Sequence, residues 1–341
     1  MVKSSEPASS DGSDTSIWLF AAGYFLAYAP YTALTKSVTS GSIAGVPKLG
    51  GMQILPWSTI ASMVAMLVFL TVKGYWRFAS RRSFGGVELP SPTKFTLVSG
   101  VATAAIIATT TLSYTLAGTS ILVMMLFMRG GVLVLAPIVD LLSKRKVRWQ
   151  AWLALGLSLI ALTLGLSGGS ASVDLAGATI VTVYLAAYFA RLRLMSGKAK
   201  SSDRDLGRKF FVEEQMVATP AIVLFLVVVA VLGLNSTGLE VRQGFYDLGG
   251  LRGAGAVVFI GLLSQGTGVF GALVLLDGRE NAFCVPVNRA SSVLAGIAAS
   301  LGLWVVGLGK PVSAAELAGA LLLVIAIVLL AVVGRSSAKP A

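Results

Sequence analysis

The sequence predicts an all-α membrane protein: ten transmembrane helices in two inverted five-helix repeats. Three observations lead there. The 341 residues are 55% hydrophobic and only 12% charged, whereas soluble domains carry about 25% charged residues. Mean hydropathy is +0.83, and the apolar residues fall in blocks of about twenty, the length that crosses a bilayer core. The chain also matches itself at one constant shift.

That shift is 160 residues. It sets Arg129, inside an apolar stretch, against Arg289 in another. It sets Leu116 and Gly118 against Leu276 and Gly278, and Tyr24, Ala27, Tyr28 and Leu34 against Tyr184, Ala187, Tyr188 and Leu194. A single register over so much of the chain points to duplication.

The spans are expected at 17–36, 54–72, 95–117, 121–142, 149–167, 173–196, 210–234, 254–276, 282–308 and 314–333. Helices are the natural solution because unpaired backbone groups are too costly in hydrocarbon. Residues 1–16 read as a disordered cytoplasmic N-terminus. Residues 17–167 form the first repeat, 173–333 the second, and 334–341 a cytoplasmic tail. Each repeat has an odd number of helices, so the two must enter the membrane in opposite senses. Inverted repeats of this kind place a substrate near the midplane, between the halves.

Orientation follows from lysine and arginine. With both termini in the cytoplasm, 20 of the 27 basic residues lie on the inner side and 5 on the outer; Arg129 and Arg289 lie within spans. The net charge of +12 is then a topology signal. It implies contact of the inner loops with anionic lipid and gives no reason to expect nucleic acid. The expected location is a plasma (inner) membrane, as a multi-pass protein. Residues 1–16 lack the pattern of a signal peptide. The single cysteine, Cys284, forms no internal disulfide.

The arginines are the first candidates for function. Each sits eight or nine residues into its span, which is roughly 10–14 Å deep in a ~30 Å core. An arginine at such depth costs about 2.5–3.5 kcal/mol and should face water or protein. On a helix, Arg289 shares a face with Ser292 and Gly296, and Asn288 sits beside it. That face is polar or small, as a cavity wall should be, so Arg289 is expected to be the main anion contact. Arg129 has Met125, Val132 and Leu133 on its face, a greasier wall. Tyr24 with Tyr28, and Tyr184 with Tyr188, are helical pairs at repeat-related positions, able to stack on and hydrogen-bond a ligand. The expected substrate-binding set is therefore Arg129, Arg289, Asn288, Ser292, Tyr24, Tyr28, Tyr184 and Tyr188. Glu213 and Glu214, near the inner end of span 7, are read as a gate that pairs with Arg191 or Arg193. Pro137 and Pro286 lie close to the arginines and free backbone carbonyls. Asn235-Ser236-Thr237 fits an N-glycosylation pattern on the outer side.

The chain resembles the drug/metabolite transporter superfamily, EamA-like type. The local likeness runs from Met128-Arg129-Gly130 through Asp140 to Arg148-Trp149-Gln150-Ala151-Trp152. Its counterpart runs from Asn288-Arg289 through Pro311-Val312-Ser313-Ala314-Ala315-Glu316. The resemblance implies the ten-helix fold and transport of a small metabolite. The Asn288-Arg289 pair is similar to the basic ninth-helix motif of organophosphate and nucleotide-sugar members, with Asn288 where a lysine is often found.

The expected function is secondary transport of a small polar, anionic or zwitterionic metabolite by alternating access between spans 4 and 9. Two alternatives stay open: export of amino acids or amphipathic compounds with structural arginines, and a non-transporting scaffold or lipid-handling protein. An enzyme is not expected. The absence of histidine removes every histidine-based base, triad or metal site, and no cofactor is implied.

Overall fold

The protein, seen in a computed structural model, is described over residues 11–116, 119–142, 149–167, 174–198, 204–247, 253–275 and 281–336. Its helices are α1 (Asp11–Ser40), α2 (Gly51–Val72), α3 (Lys94–Thr115), α4 (Ile121–Met125), α5 (Gly131–Leu142) and α6 (Trp149–Ser167). They continue as α7 (Leu175–Lys198), α8 (Arg204–Leu232), α9 (Ser236–Asp247), α10 (Ala254–Leu275), α11 (Asn281–Val305) and α12 (Ala314–Ser336). Leu126–Gly130, between α4 and α5, is a π-turn.

Among the described residues, six helical stretches are long and apolar enough to cross a membrane. They are Ile17–Ser40, Gly51–Val72, Lys94–Thr115, Leu175–Met195, Asp205–Leu232 and Ala254–Val274. The protein is thus an all-α, multi-pass membrane protein. Large apolar side chains such as Leu19, Leu26, Val68, Leu224, Phe225 and Ile325 point outward, as a lipid-facing surface requires. Inside the helices, hydroxyls are satisfied by the preceding turn: Thr35 donates to the Tyr31 carbonyl at 2.7 Å, Thr59 to Leu55 at 2.7 Å and Thr110 to Ile106 at 2.6 Å. This lets polar residues live in an apolar helix without an orphan group.

Three features differ from the expectation. The first helix reaches back to Asp11, into the stretch read as a disordered tail. The connection after α2 is not plain loop. It holds a 3-10 turn at Tyr75–Phe78 and an antiparallel hairpin, β1 (Arg81–Phe84) and β2 (Val87–Pro90). Its two-residue turn uses Gly85 and Gly86 at φ 58° and 85°, the left-handed pair that such hairpins need. The connection after α8 forms the short helix α9, which Asn235 caps by accepting from the Gly238 amide at 2.9 Å. Sequence patterning missed both because neither is apolar enough to read as a span. The basic loop 144–148, residues 1–10 and 337–341, and the side chains of Pro137, Asp140, Cys284 and Pro286 lie outside the described residues.

Packing places the polar centre. Helix α1 lies against α10 and α11, and α3 lies against α7 and α8. Helix α2 packs on α10, and α12 packs on α6 and α11. Where α1 meets α3, Tyr24, Tyr28, Tyr31 and Tyr114 bury in one cluster with Ile121, Met125 and Ala295.

Candidate functional site

Arg129 sits in the π-turn. A π-turn widens the helix by one residue and changes the direction of its side chains; such turns recur at functional sites. Here it buries the Arg129 side chain, 3% exposed, among tyrosines. Nη1 donates to the Tyr184 hydroxyl at 2.6 Å, and Nη2 donates to the Tyr28 hydroxyl. The guanidinium carbon lies 5.3 Å from the Tyr28 ring centre and 5.9 Å from that of Tyr184, within range of a cation–π attraction. Gly131 makes the approach of α7 possible: a Cβ there would lie 2.7 Å from Leu185. Tyr28 in turn shares a hydrogen bond with Tyr114 at 2.9 Å, and Tyr31 with Thr111 at 2.8 Å. The tyrosines form a ladder, with Tyr24–Tyr28, Tyr28–Tyr31 and Tyr31–Tyr114 ring centres 5.3, 5.7 and 5.9 Å apart.

Arg129 lines a cavity of about 120 Å³. Tyr24, Tyr28 and Tyr31 form one wall with it, and Tyr188 and Arg191 come from α7. The lining also includes Ser62, Ser264, Gln265, Thr267, Gly271 and Asn288. Ser62 donates to Gln265 Oε1 at 2.8 Å, and the Asn288 amide donates to the Gly271 carbonyl at 3.3 Å. Helix α3 contributes Thr103, Ile106, Ile107 and Thr110, and α8 contributes Gln215. The cavity thus combines two basic groups with aromatic faces and with uncharged amides and hydroxyls.

The two adjacent glutamates do different things. Arg191 meets Glu214 fork to fork, Nε to Oε1 at 2.9 Å and Nη2 to Oε2 at 2.6 Å. Ser99 also donates to Glu214 Oε1. Glu213 faces the other way, accepting from the Ser80 and Thr93 amides at 3.0 and 3.1 Å and from Thr96 Oγ1 at 2.8 Å. It anchors the hairpin segment to α8 and makes no ion pair among the described residues, where Arg193 is exposed.

The structure therefore brings Tyr24, Tyr28, Arg129, Tyr188 and Asn288 to one cavity, and leaves three expected residues behind its wall. Arg289 is 4% exposed and is absent from the described lining. Its guanidinium lies 4.6 Å from the Tyr188 ring centre. Tyr184 is fully buried behind Arg129. Ser292 is fully buried and returns its hydroxyl to the Arg289 carbonyl at 2.8 Å. The small face of α11 that reads as a cavity wall is a helix crossing instead: a Cβ on Gly296 would lie 2.7 Å from Met125 Sδ. Small residues serve close packing as readily as they line water, and the sequence does not separate the two. The expected ranking of the arginines is thus reversed in geometry, since Arg129, on the greasier face, reaches the cavity through its π-turn. Ser62, Gln215 and Gln265 were missed, although a glutamine inside an apolar span such as Gln265 is a usable signal.

No family model and no curated sequence matches this chain. A solved structure that carries only the description "Crystal structure of protein" superposes with a TM-score of 0.51 at 13% identity. The superposition covers 95% of this chain and 99% of that one. At that identity the likeness is one of fold.

Proposed function

We propose that the protein is a secondary transporter of a small organic anion or zwitterion, carried by alternating access through the central cavity. The observation that carries this reading is Arg129. Its guanidinium is buried on the cavity wall, its partners are tyrosine hydroxyls, and no carboxylate pairs with it among the described residues. A buried cation without a counter-ion is expensive, and an anionic ligand would supply the missing charge through short bonds. The cavity, about 120 Å³, is smaller than the ~300–1,000 Å³ of drug-sized sites, which suits a small metabolite.

The ten-span, inverted-repeat architecture belongs to the same proposal. The packing supports it: exchanging the halves turns the α1–α10 contact into α7–α3, and the α3–α8 contact into α10–α2. The repeat register also pairs Arg129 over Tyr28 with Arg289 over Tyr188. Membership in the drug/metabolite transporter superfamily, both termini in the cytoplasm and a plasma-membrane location complete the reading.

One observation favours the alternative of an exporter with structural arginines. Arg289 lies over the Tyr188 ring and is absent from the described lining, as a helix-locking residue would be. Flux into proteoliposomes decides between them. The anion reading expects uptake of L-lactate, succinate, L-glutamate or phosphate that Arg129→Ala abolishes. Uptake of neutral or amphipathic solutes only, unaffected by that substitution, would favour the exporter.

A further inference from the structure

Gln265 puts an amide in the middle of Ala254–Val274, a stretch apolar enough to span the membrane. The residue is 5% exposed and lines the cavity. One end of its amide is engaged, because Ser62 on α2 donates to Oε1 at 2.8 Å. That bond turns the other end away from Ser62: the oxygen accepts, and the two N–H groups face elsewhere. Nε2 donates to no group among the described residues, and protein does not seal it in. Gly268, one turn further along α10, lines the same cavity. A Cβ on Gly268 would lie 3.3 Å from Nε2 and would touch no other side chain. The bare glycine therefore leaves the amide nitrogen uncovered beside the cavity. A donor so nearly buried calls for an acceptor.

The charges around the cavity restrict what that acceptor can belong to. Arg129 and Arg191 line it, and Arg289 lies over the Tyr188 ring. The described lining holds no carboxylate. Glu214 is 1% exposed and is taken by Arg191 and Ser99. An ammonium group entering here would meet guanidiniums and, among the described residues, no free counter-ion. The faces of Tyr28 and Tyr188 could attract a cation, but Arg129 and Arg289 already lie over them. Neutral acceptors such as the Gln215 amide, also at the wall, would solvate an ammonium without offsetting its charge. A hydroxyl or carbonyl oxygen brings no charge and can accept from Nε2.

We propose that Gln265 selects the substrate: the site takes small carboxylates that bear an uncharged hydroxyl or oxo group, and disfavours those that bear an ammonium group. This selectivity rests on the anion reading of the cavity and narrows it from anions and zwitterions to hydroxy and oxo acids. Arg129 answers the carboxylate, and Gln265 Nε2 donates to the uncharged oxygen. An analogue without that oxygen leaves the amide unpaired, and the unpaired donor is what discriminates.

The test is calorimetric titration of the full chain with two matched series of acids. One is propionate, L-lactate, pyruvate and L-alanine; the other is butyrate, 4-hydroxybutyrate and 4-aminobutyrate. In at least one series a hydroxy or oxo acid should bind about three- to tenfold tighter than its parent, the worth of one neutral hydrogen bond. In neither series should the amino acid outbind the parent. Gln265→Leu should erase the ratio between the oxygen-bearing acid and its parent, whereas a merely structural loss would weaken all the acids alike and keep the ratio. Gly268→Ala retains the amide but sets a methyl against Nε2, so it should erase the ratio too and decides the matter if Gln265→Leu does not fold. Parity between oxygen-bearing acids and parents in both series overturns the selectivity and leaves the anion reading standing. So does an amino acid that outbinds its parent, or a ratio that survives in the deciding variant. Failure of the anion reading looks different: no acid of either series binds, and the selectivity falls with it.

Discussion

Arg129 and Tyr184 are joined by a 2.6 Å hydrogen bond although 55 residues of chain separate them. The bond ties the π-turn of one half of the molecule to α7 of the other. It leaves the guanidinium facing the cavity with hydroxyl partners and, among the described residues, no carboxylate. The properties of the site follow from that arrangement.

Arg129→Ala should weaken binding of an anionic ligand by about 2–5 kcal/mol, as loss of one partner of a buried charge pair does. Arg129→Lys should recover only part of this, because it keeps the charge and loses the fork. Arg289→Ala, behind the cavity wall, should cost less affinity than Arg129→Ala. Calorimetric titration of the three variants checks the order. A larger loss at Arg289 would restore the ranking expected from sequence.

Tyr184→Phe removes a hydroxyl bonded to a buried cation. Such bonds contribute about 1.5–3 kcal/mol, and the loss should appear as a lower thermal midpoint in detergent. Tyr246→Phe, at an 80% exposed position on α9, should leave the midpoint where it is.

Gly131→Ala should destabilise by about 1–3 kcal/mol, the usual cost of overpacking, because its new methyl meets Leu185. Gly255→Ala has open space around it. It should be neutral or stabilising by up to about 1 kcal/mol, from helix propensity alone. Paired thermal melts test the contrast; equal midpoints would mean that α5 and α7 are not held this close.

Lys36 donates to the Leu116 and Thr119 carbonyls at 2.5 and 2.9 Å, clamping α1 to the end of α3 and the residues before α4. Lys36→Met leaves two carbonyls without their partner and should cost about 1–3 kcal/mol. Unchanged stability would show that water replaces the amine there.

The proposed orientation puts Ser83 of the hairpin inside and Ser40 at the end of α1 outside; both are exposed. With Cys284 replaced by serine, Ser40→Cys should react with an impermeant thiol reagent on intact cells, and Ser83→Cys only after permeabilisation. The opposite pattern inverts the topology.

Much of this was legible in the sequence, for identifiable reasons. Apolar blocks mark membrane helices because the bilayer leaves the backbone few other solutions. The tyrosine and arginine positions were legible because polar groups deep in a span demand company, and Tyr24, Tyr28, Arg129, Tyr188 and Asn288 do meet. What patterning could not supply was direction. A regular 3.6-residue helix turns Arg289 toward a small, polar face and Arg129 toward a greasy one, and the π-turn undoes that assignment. Nor does patterning tell whether Gly296 and Ser292 line water or a helix crossing. The Glu213–Glu214 pair was found, but its split into an anchor and an ion pair depends on the α3 and hairpin contacts, which are long-range.

The π-turn at Leu126–Gly130 has a consequence for how this protein can vary. A π-turn holds one residue more than the α-helix would. Deleting a single residue there would restore regular pitch and rotate one side of the break against the other by about 100°. Arg129 would swing off the cavity while every other residue of the wall kept its identity. The place of the Arg129 charge on the cavity wall thus depends on the chain length of this turn as well as on residue identity. A chain shorter by one residue at this point would keep the same arginine and lose its place on the cavity wall.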